Sequence, residues 1–452
     1  MKPLPYEIVS YEHVVDRACP VPRITRKVET RMGCGNPAKK YAKVGIPMFY
    51  GGIDIAKHQH EICVLDREGK FVLQMHFKNN QKGLEKLVKA LDTLEVEVDD
   101  ICFCLEATGH YWLALFSQLE QLGYQLHVIN PIQSDALRNL YVRKTKTDAK
   151  DALLLADMMR LGYTTETKLA QETTLKLQTL SRSRLDFVQQ VGSLKNQVLG
   201  VLDRIFPEYA SCFSNVFIQT SKELLKRYPE PEELAEVDLS ELSKFLNEHS
   251  RGRLGQERAE QIQTLAKGTF GIRLAMDAFT LQLRLLLEQI EFIEDQISII
   301  EEAIDQVMEE LRPKDADYRH VLETIPGIGP TLAAAIIGEI GDINRFPNAK
   351  ALVAYAGLDA SVKSSGQFEG TKNRMSKRGS PVLRYSLWMA AVSARRFNPE
   401  LKEFYELKRS QGKHSNVATG AVARRLTHLI YSLWKNNRPF EPDYQWSPPG
   451  RT

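Results

Sequence analysis

"FYGGIDIAKHQHEICVLDREGKFVLQMHFKN", Phe49 to Asn79, is the stretch whose reading decides the fold. Three runs, at about 49–56, 60–66 and 70–77, carry the β-branched, aromatic and alternating residues of strands. "DREG" between the second and third has the composition of a tight turn. Downstream, the pattern predicts a helix near 80–93 and a buried strand near 101–106, in "DDICFCLEA". A helix at about 110–122 and a strand "YQLHVIN" closed by Pro131 come next, then helices near 131–140 and 147–161. Three antiparallel strands followed by alternating helices and strands argue for a mixed α/β sheet over 49–165. Upstream, residues 1–48 contain Pro, Gly and Lys/Arg with little periodicity and read as an irregular basic extension.

Past the α/β region the period changes. Leu177, Leu180, Arg184, Phe187, Val191, Leu194, Val198, Val201 and Ile205 alternate steps of three and four. Met276, Phe279, Leu283, Leu286, Ile290, Ile293, Ile297, Ile300, Ile304, Val307 and Leu311 do the same. A sustained 3.5-residue repeat is the mark of a coiled coil, here an antiparallel pair within or between chains. The region 170–315 is therefore a coiled coil interrupted by a helical insertion at 207–274, with turns at "YPEPEELAE" and "HSRGRLGQE". The region 316–440 opens on "TIPGIGPTLAAAIIGEIGDINRF", and 441–452 is a tail. Pro326-Gly327-Ile328-Gly329 has the pattern of a helix-hairpin-helix turn, in which Gly327 and Gly329 let backbone amides approach a phosphate. The plainer reading is a glycine-rich connection that serves packing.

At 452 residues, 43% hydrophobic and 26% charged, the chain suits a soluble protein of two or three domains. No apolar run reaches the roughly 18–20 residues that span a bilayer, and "MKPLPYEIVSYEHVVDRACP" lacks the apolar core of a secretory signal. A cytoplasmic protein without a membrane partner is expected. Cys19, Cys34, Cys63, Cys102, Cys104 and Cys212 show no C-x-x-C spacing, and Cys102 and Cys104 alternate as strand core residues do. The net charge of +3 conceals an uneven spread: residues 361–452 hold 17 Lys/Arg against 6 Asp/Glu, whereas 276–312 hold 2 Arg against 10 Asp/Glu. A basic C-terminal region suggests a polyanion as partner.

Four carboxylates stand out. Asp54 lies at the end of the first strand in "GGIDIAK", and Glu106 ends the buried strand in "CLEATG". Asp148 and Asp151 in "KTKTDAKDALLLADMMR" share one helix face by their spacing of three. Each alone suits a strand end or a helix first turn. Together, in this order, they can converge on a divalent ion, since Mg²⁺ takes hard oxygen ligands and completes its shell with water and phosphate. Metals held so can activate a nucleophile and stabilise a leaving oxygen in phosphoryl transfer.

With "GIDIAK", "LEATGHYW", "INP", "KTKTDAKDALLLA", "IPGIGPTLAAAIIGEIGDINRFPNAKALVAYAGLDAS", "KSSGQFEGTKNRMSKRGSPVLRYSLWMAA" and "GKHSNVATGAVARRLTHLIYSLWKNNRPFEPD", the chain resembles the DEDD insertion-sequence transposases and their DNA-invertase relatives over roughly residues 50–440. The resemblance implies an N-terminal RuvC-like domain of the RNase H fold, coiled-coil helices and a helical C-terminal transposase domain. It assigns Asp54, Glu106, Asp148 and Asp151 to the acidic positions, binding Mg²⁺ with Mn²⁺ as a substitute. It also implies a serine that links covalently to DNA. In "KSSGQFEG" the serine directly before glycine is Ser365, with Ser364 as its neighbour. Donor and target DNA, a structured bridge RNA as guide, and a homo-oligomer (dimer or tetramer) joined through the coiled coil are the implied partners, in a prokaryotic cytoplasm at the nucleoid. Lys372, Arg374, Lys377, Arg378 and Arg384 near the serine, and Arg143, Lys144 and Lys146 before the aspartates, are candidate phosphate contacts. Two rival readings are a Mg²⁺-dependent junction-resolving nuclease that uses water, with no need of Ser365, and a non-catalytic nucleic-acid scaffold.

Overall fold

The computed structural model describes residues 49–107, 109–129, 131, 134–135, 147–164, 167, 171–314, 316–360, 374–441 and, as backbone, 364–365 and 368–369. The chain divides into two compact units, Met1–Lys168 and Leu169–Thr452. Expectations for 1–48, for most of the helix at 131–140, and for Arg143, Lys144, Lys146 and Lys372 lie outside the described residues.

In the first unit, β1 (Phe49–Asp54), β2 (Gln59–Asp66) and β3 (Phe71–Lys78) form an antiparallel meander. After α1 (Gln81–Asp92), β4 (Ile101–Glu106) pairs parallel to β1. After α2 (Trp112–Gln121), β5 (Gln125–Ile129) pairs parallel to β4. The sheet order is β3-β2-β1-β4-β5. The crossover helices explain the hydrophobic runs, because a parallel strand covered on both faces loses the polar alternation of a half-solvated one. Ile101 through Leu105 are all buried.

Helix α3 (Asp148–Arg160) covers one face of this sheet. Leu154, Leu155, Met158 and Met159 pack with Tyr50, Cys102, Cys104 and Ile129. The fit is tight at Gly52: a Cβ there would stand 2.0 Å from the Ala152 carbonyl oxygen and 2.4 Å from the Ala156 nitrogen. Thr147 caps α3, its side chain accepting from the Lys150 amide. The cysteines Cys63, Cys102, Cys104 and Cys212 are buried free thiols, and burial pushes Cys102 and Cys104 up to about 12. They behave as core residues.

In the second unit, α4 (Glu172–Ile205) and α9 (Met276–Glu309) are the expected long helices. They pair within one chain and run antiparallel, as Arg184–Glu301 at 2.7 Å and Lys195–Glu294 at 2.9 Å record. Between them stand α5 (Gln219–Arg227), α6 (Pro231–Glu236), α7 (Leu239–His249) and α8 (Gln256–Lys267), on a core shared with both long helices. Then follow α10 (Pro330–Ile340), α11 (Ala349–Tyr355), α12 (Pro381–Phe397), α13 (Pro399–Ser410) and α14 (Ser415–Lys435), on a core that also takes in Leu177 and Ile304 of the long helices.

The hairpin turn at 326–329 differs from its expected form. Before it stands a four-residue 3-10 turn, Val321–Thr324, instead of a full α-helix. Gly327 (φ +104°) lies against α12, where a Cβ would meet the Ala394 backbone at 2.5 Å, so its missing side chain serves packing. Gly329, the N-cap of α10, is exposed and has open space where a Cβ would stand.

Candidate functional site: strand-end carboxylates and a serine hairpin

Strand alternation sets the first site. Side chains two apart share a sheet face, so Asp54 shares the face of Tyr50 and Gly52, which α3 covers. Glu106 shares the face of Cys102 and Cys104, which pack on the same helix. Because Ile53 pairs with Leu105, Asp54 and Glu106 end adjacent parallel strands at one level. Asp148 and Asp151 occupy the first turn of α3, where the positive end of the helix favours carboxylates. Asp148 is exposed and Asp151 is 7% exposed. Asp54 and Glu106 thus end adjacent strands on the face that α3 covers, and Asp148 and Asp151 stand in the first turn of that helix.

Two neighbours escaped the sequence reading. Glu61 pairs with Asp54 across the antiparallel β1–β2 ladder and shares its face, adding a half-buried carboxylate. The sequence gives the two strands, but the register that sets Glu61 opposite Asp54 comes from their pairing. Ser134, 1% exposed, donates its hydroxyl proton to Glu106 Oε2 at 2.6 Å. It lies in the segment expected as a helix at 131–140, where a single serine carries no signal of its contact with Glu106.

Among the described residues, no three His, Cys, Asp or Glu side chains stand close enough to hold a metal ion by themselves. The donor chemistry nevertheless suits Mg²⁺, which is bound by one or two carboxylates and fills its octahedron with water and substrate phosphate. Asp54 and Glu106, on neighbouring strand ends, are two carboxylates of that donor type.

The second unit holds the serine. Ser364–Ser365 and Phe368–Glu369 form a two-stranded antiparallel hairpin, with Ser365 opposite Phe368. An isolated antiparallel bridge joins Ala360 to Met375, on the segments that flank the hairpin. Below it, the Ser376 amide donates to the Asp359 carbonyl (2.8 Å), Lys377 to Gly357 (3.1 Å) and Ser380 to Tyr355 (2.9 Å). The Ser376 hydroxyl donates to the Asp359 carboxylate. The crossing needs glycine: a Cβ at Gly379 would lie 1.8 Å from the Tyr355 carbonyl oxygen.

The basic candidates divide in two. Arg374, Lys377 and Arg378 are exposed along this base, and Lys377 adopts φ +54°. Arg384 is turned inward, its Nη1 donating to the Ala356 (3.2 Å) and Gly379 (3.4 Å) carbonyls, so it braces the loop. Arg425 likewise packs over Phe404, 4.8 Å from its ring centre.

Comparison with known proteins finds two family models along the chain. A family model described as "Transposase", of the DEDD IS110 type, matches residues 51–207. A second, "Transposase IS116/IS110/IS902 family", matches residues 319–406. The mini-circle putative transposase for IS117 of Streptomyces coelicolor is 24% identical over 408 residues, covering 88% of this chain and 96% of its own length. The pilin gene-inverting protein of Moraxella lacunata is 24% identical over 400 residues, covering 87% and 97%. The transposase for insertion sequence element IS1111A of Coxiella burnetii is 24% identical over 393 residues, covering 84% and 88%.

Proposed function

The chain belongs to the IS116/IS110/IS902 transposase family, a family of DNA-recombining enzymes, and from that premise we propose that it cuts and rejoins DNA through a phosphoserine at Ser365. The observation that supports this reading is the pair of features: Asp54 and Glu106 on adjacent strand ends of a five-stranded sheet, and a serine on a braced hairpin in a separate unit. A water-using nuclease would need the first alone. The sheet order, with adjacent parallel strand ends carrying acids, supports a RuvC-like reading of the first unit.

The Ser365 oxygen attacks a backbone phosphorus. The Oγ–P bond forms as a P–O bond of the phosphodiester breaks, and the departing deoxyribose hydroxyl keeps the proton that the serine gives up. In rejoining, another strand's hydroxyl attacks the phosphoserine and the Oγ–P bond breaks, so the bond is conserved and no nucleotide cofactor is consumed. A serine hydroxyl needs a base or metal to become a nucleophile at neutral pH. Asp54 and Glu106 would hold Mg²⁺, with Asp148 and Asp151 completing the acidic shell. The ion, once bound, supplies Lewis-acid stabilisation of the oxygens around phosphorus. Exposed Arg374, Lys377 and Arg378 neutralise phosphates beside the serine.

Target choice is assigned to a bridge RNA whose loops pair with donor and target DNA, the protein holding RNA by backbone charge. The reading further has a site completed between protomers, the acids of one meeting Ser365 of another. Labelled DNA, guide RNA and Mg²⁺ incubated with the protein, then denatured, should give a covalent adduct that disappears in Ser365→Ala. Cleavage without an adduct would establish the nuclease instead, and neither product with verified substrates the scaffold. Mixing Asp54→Ala with Ser365→Ala protein should restore some adduct, and no recovery would count against a shared site.

A further inference from the structure

Glu339 is a charge where stability alone disfavours one. Its side chain is 1% exposed, and it sits in the last turn of α10, the negative end of the helix. Three elements meet at it. Arg182 of α4 donates from Nε to Oε1 (2.6 Å) and from Nη2 to Oε2 (3.2 Å), a two-pronged grip. Ser380, at the N-cap of α12, donates its hydroxyl to Oε2 at 2.7 Å. Tyr355, at the end of α11, donates to the Glu339 carbonyl at 3.3 Å. Beside it Gly338 lets α10 touch α4, where a Cβ would stand 2.6 Å from the Gln178 nitrogen.

Ser380 and Tyr355 are also the two residues that close the base of the serine hairpin, through Ser380 N–H to Tyr355 C=O. Ser380 ends the run that begins at Met375, whose isolated bridge to Ala360 joins the segments flanking the hairpin. One carboxylate therefore joins the base of the hairpin to α4, the helix that opens the second unit. We propose that Glu339 is a positioning residue that fixes the base of the Ser365 hairpin onto α4 through Ser380 and Arg182. This rests on the reading of Ser365 as the nucleophile. Glu339 touches no reacting atom. Its charge and two acceptor oxygens make the grip two-pronged: a neutral carboxamide of the same shape would fill the space but keep one acceptor at most, losing one of the two Arg182 bonds and the ion pair.

Glu339→Gln tests it, with Ser380→Thr as the conservative control that keeps both the hydroxyl donor and the helix cap. Two measurements are made on the full chain. Amide exchange by mass spectrometry follows the peptide spanning 375–380, whose Ser376, Lys377 and Ser380 amides are bonded to the opposite arm. The denaturing assay follows the ratio of covalent adduct to hydrolytic nicks. Expected for Glu339→Gln are exchange at least tenfold faster in 375–380 with the α12 and α14 peptides unchanged, and an adduct-to-nick ratio at least tenfold lower. Ser380→Thr should keep both near the parent. A structural role alone would speed exchange throughout the second unit and lower both products together, which overturns the proposal. So does an unchanged 375–380 peptide. If the parent chain forms no adduct, the Ser365 reading fails, and the exchange measurement still decides whether Glu339 holds the loop.

Discussion

In the first unit the candidate acids stand on the ends of β1 and β4 and in the first turn of α3, elements with complete ladders and a buried core. In the second, Ser365 stands in a strand two residues long, held from below by loop amides, glycines and one buried carboxylate. Regular elements fix side-chain direction through their period, so the acids inherit their aim from the sheet. A short hairpin has no such period, and its aim must come from braces at its base. Ligands for an ion can tolerate small displacements, because water and phosphate complete the shell. An attacking oxygen tolerates less, because in-line displacement needs close approach and alignment.

The largest effects should separate the two sites. Asp54→Asn should lower both adduct and nicks by about 10³-fold or more, since it removes a carboxylate proposed to hold the metal that either chemistry needs. Ser365→Ala should abolish the adduct while leaving DNA binding and Mg²⁺-dependent melting shifts intact. Gel quantification of both products reads the contrast. Equal loss of nicks in both variants would merge the two sites into one function.

Next come the close-packed glycines. Gly52→Val forces a branched side chain against the Ala152 and Ala156 backbone at 2.0 and 2.4 Å. Overpacking of this kind costs about 1–3 kcal/mol and more where backbone is the obstacle. The first unit should melt lower and lose Mg²⁺-dependent cleavage. Gly192 in α4 has nothing within 4 Å of a built Cβ, so Gly192→Ala should raise the stability of the second unit by about 0.5–1 kcal/mol. Calorimetry distinguishes the two, and a stabilised Gly52→Val would overturn the packing of α3 on β1.

The same contrast explains what could be read ahead of the structure. The strands at 49–79, the heptad stripes of 177–205 and 276–311 and the acids at strand ends were legible because each rests on a local period. Whether the stripes paired within or between chains was not, because a heptad records an apolar seam and omits its partner. Glu61 depended on a register that only a pairing fixes, and Ser134 on a contact 28 residues away. Ser365 had no physical signal in the sequence at all, since a polar Ser-Ser-Gly reads as a turn. Family resemblance alone singled it out. Arg384 was read as a phosphate contact on its charge, whereas its guanidinium is engaged with loop carbonyls.

A smaller effect should mark the second unit by pH. Burial holds His320 well below its ordinary range, at about 4. The unfolded chain takes up this proton near pH 6.5 and the folded chain only near 4, so above 6.5 the residue contributes no pH dependence. As pH falls through that window the unfolded state is favoured, by up to about 3 kcal/mol once pH 4 is reached. Denaturant melts of the second unit should therefore weaken between pH 6.5 and 4, and His320→Gln should flatten that slope. An unchanged slope would mean the ring is solvated.

The smallest effects fall on individual basic residues, and they resolve the roles assigned around the serine. Arg378 is exposed, whereas Arg384 spends its guanidinium on the Ala356 and Gly379 carbonyls. Arg378→Ala should weaken DNA binding a few-fold and lower the slope of log K against log salt by about 0.9, the signature of one lost phosphate contact. Arg384→Ala should leave that slope alone and instead lower the adduct-to-nick ratio, as loosening the hairpin base would. Binding titrations at several salt concentrations, paired with the denaturing assay, read both quantities. If Arg384→Ala shifts the salt slope and spares the ratio, its side chain has left the loop for a phosphate, and the hairpin is braced by Glu339 and the glycine crossing without it.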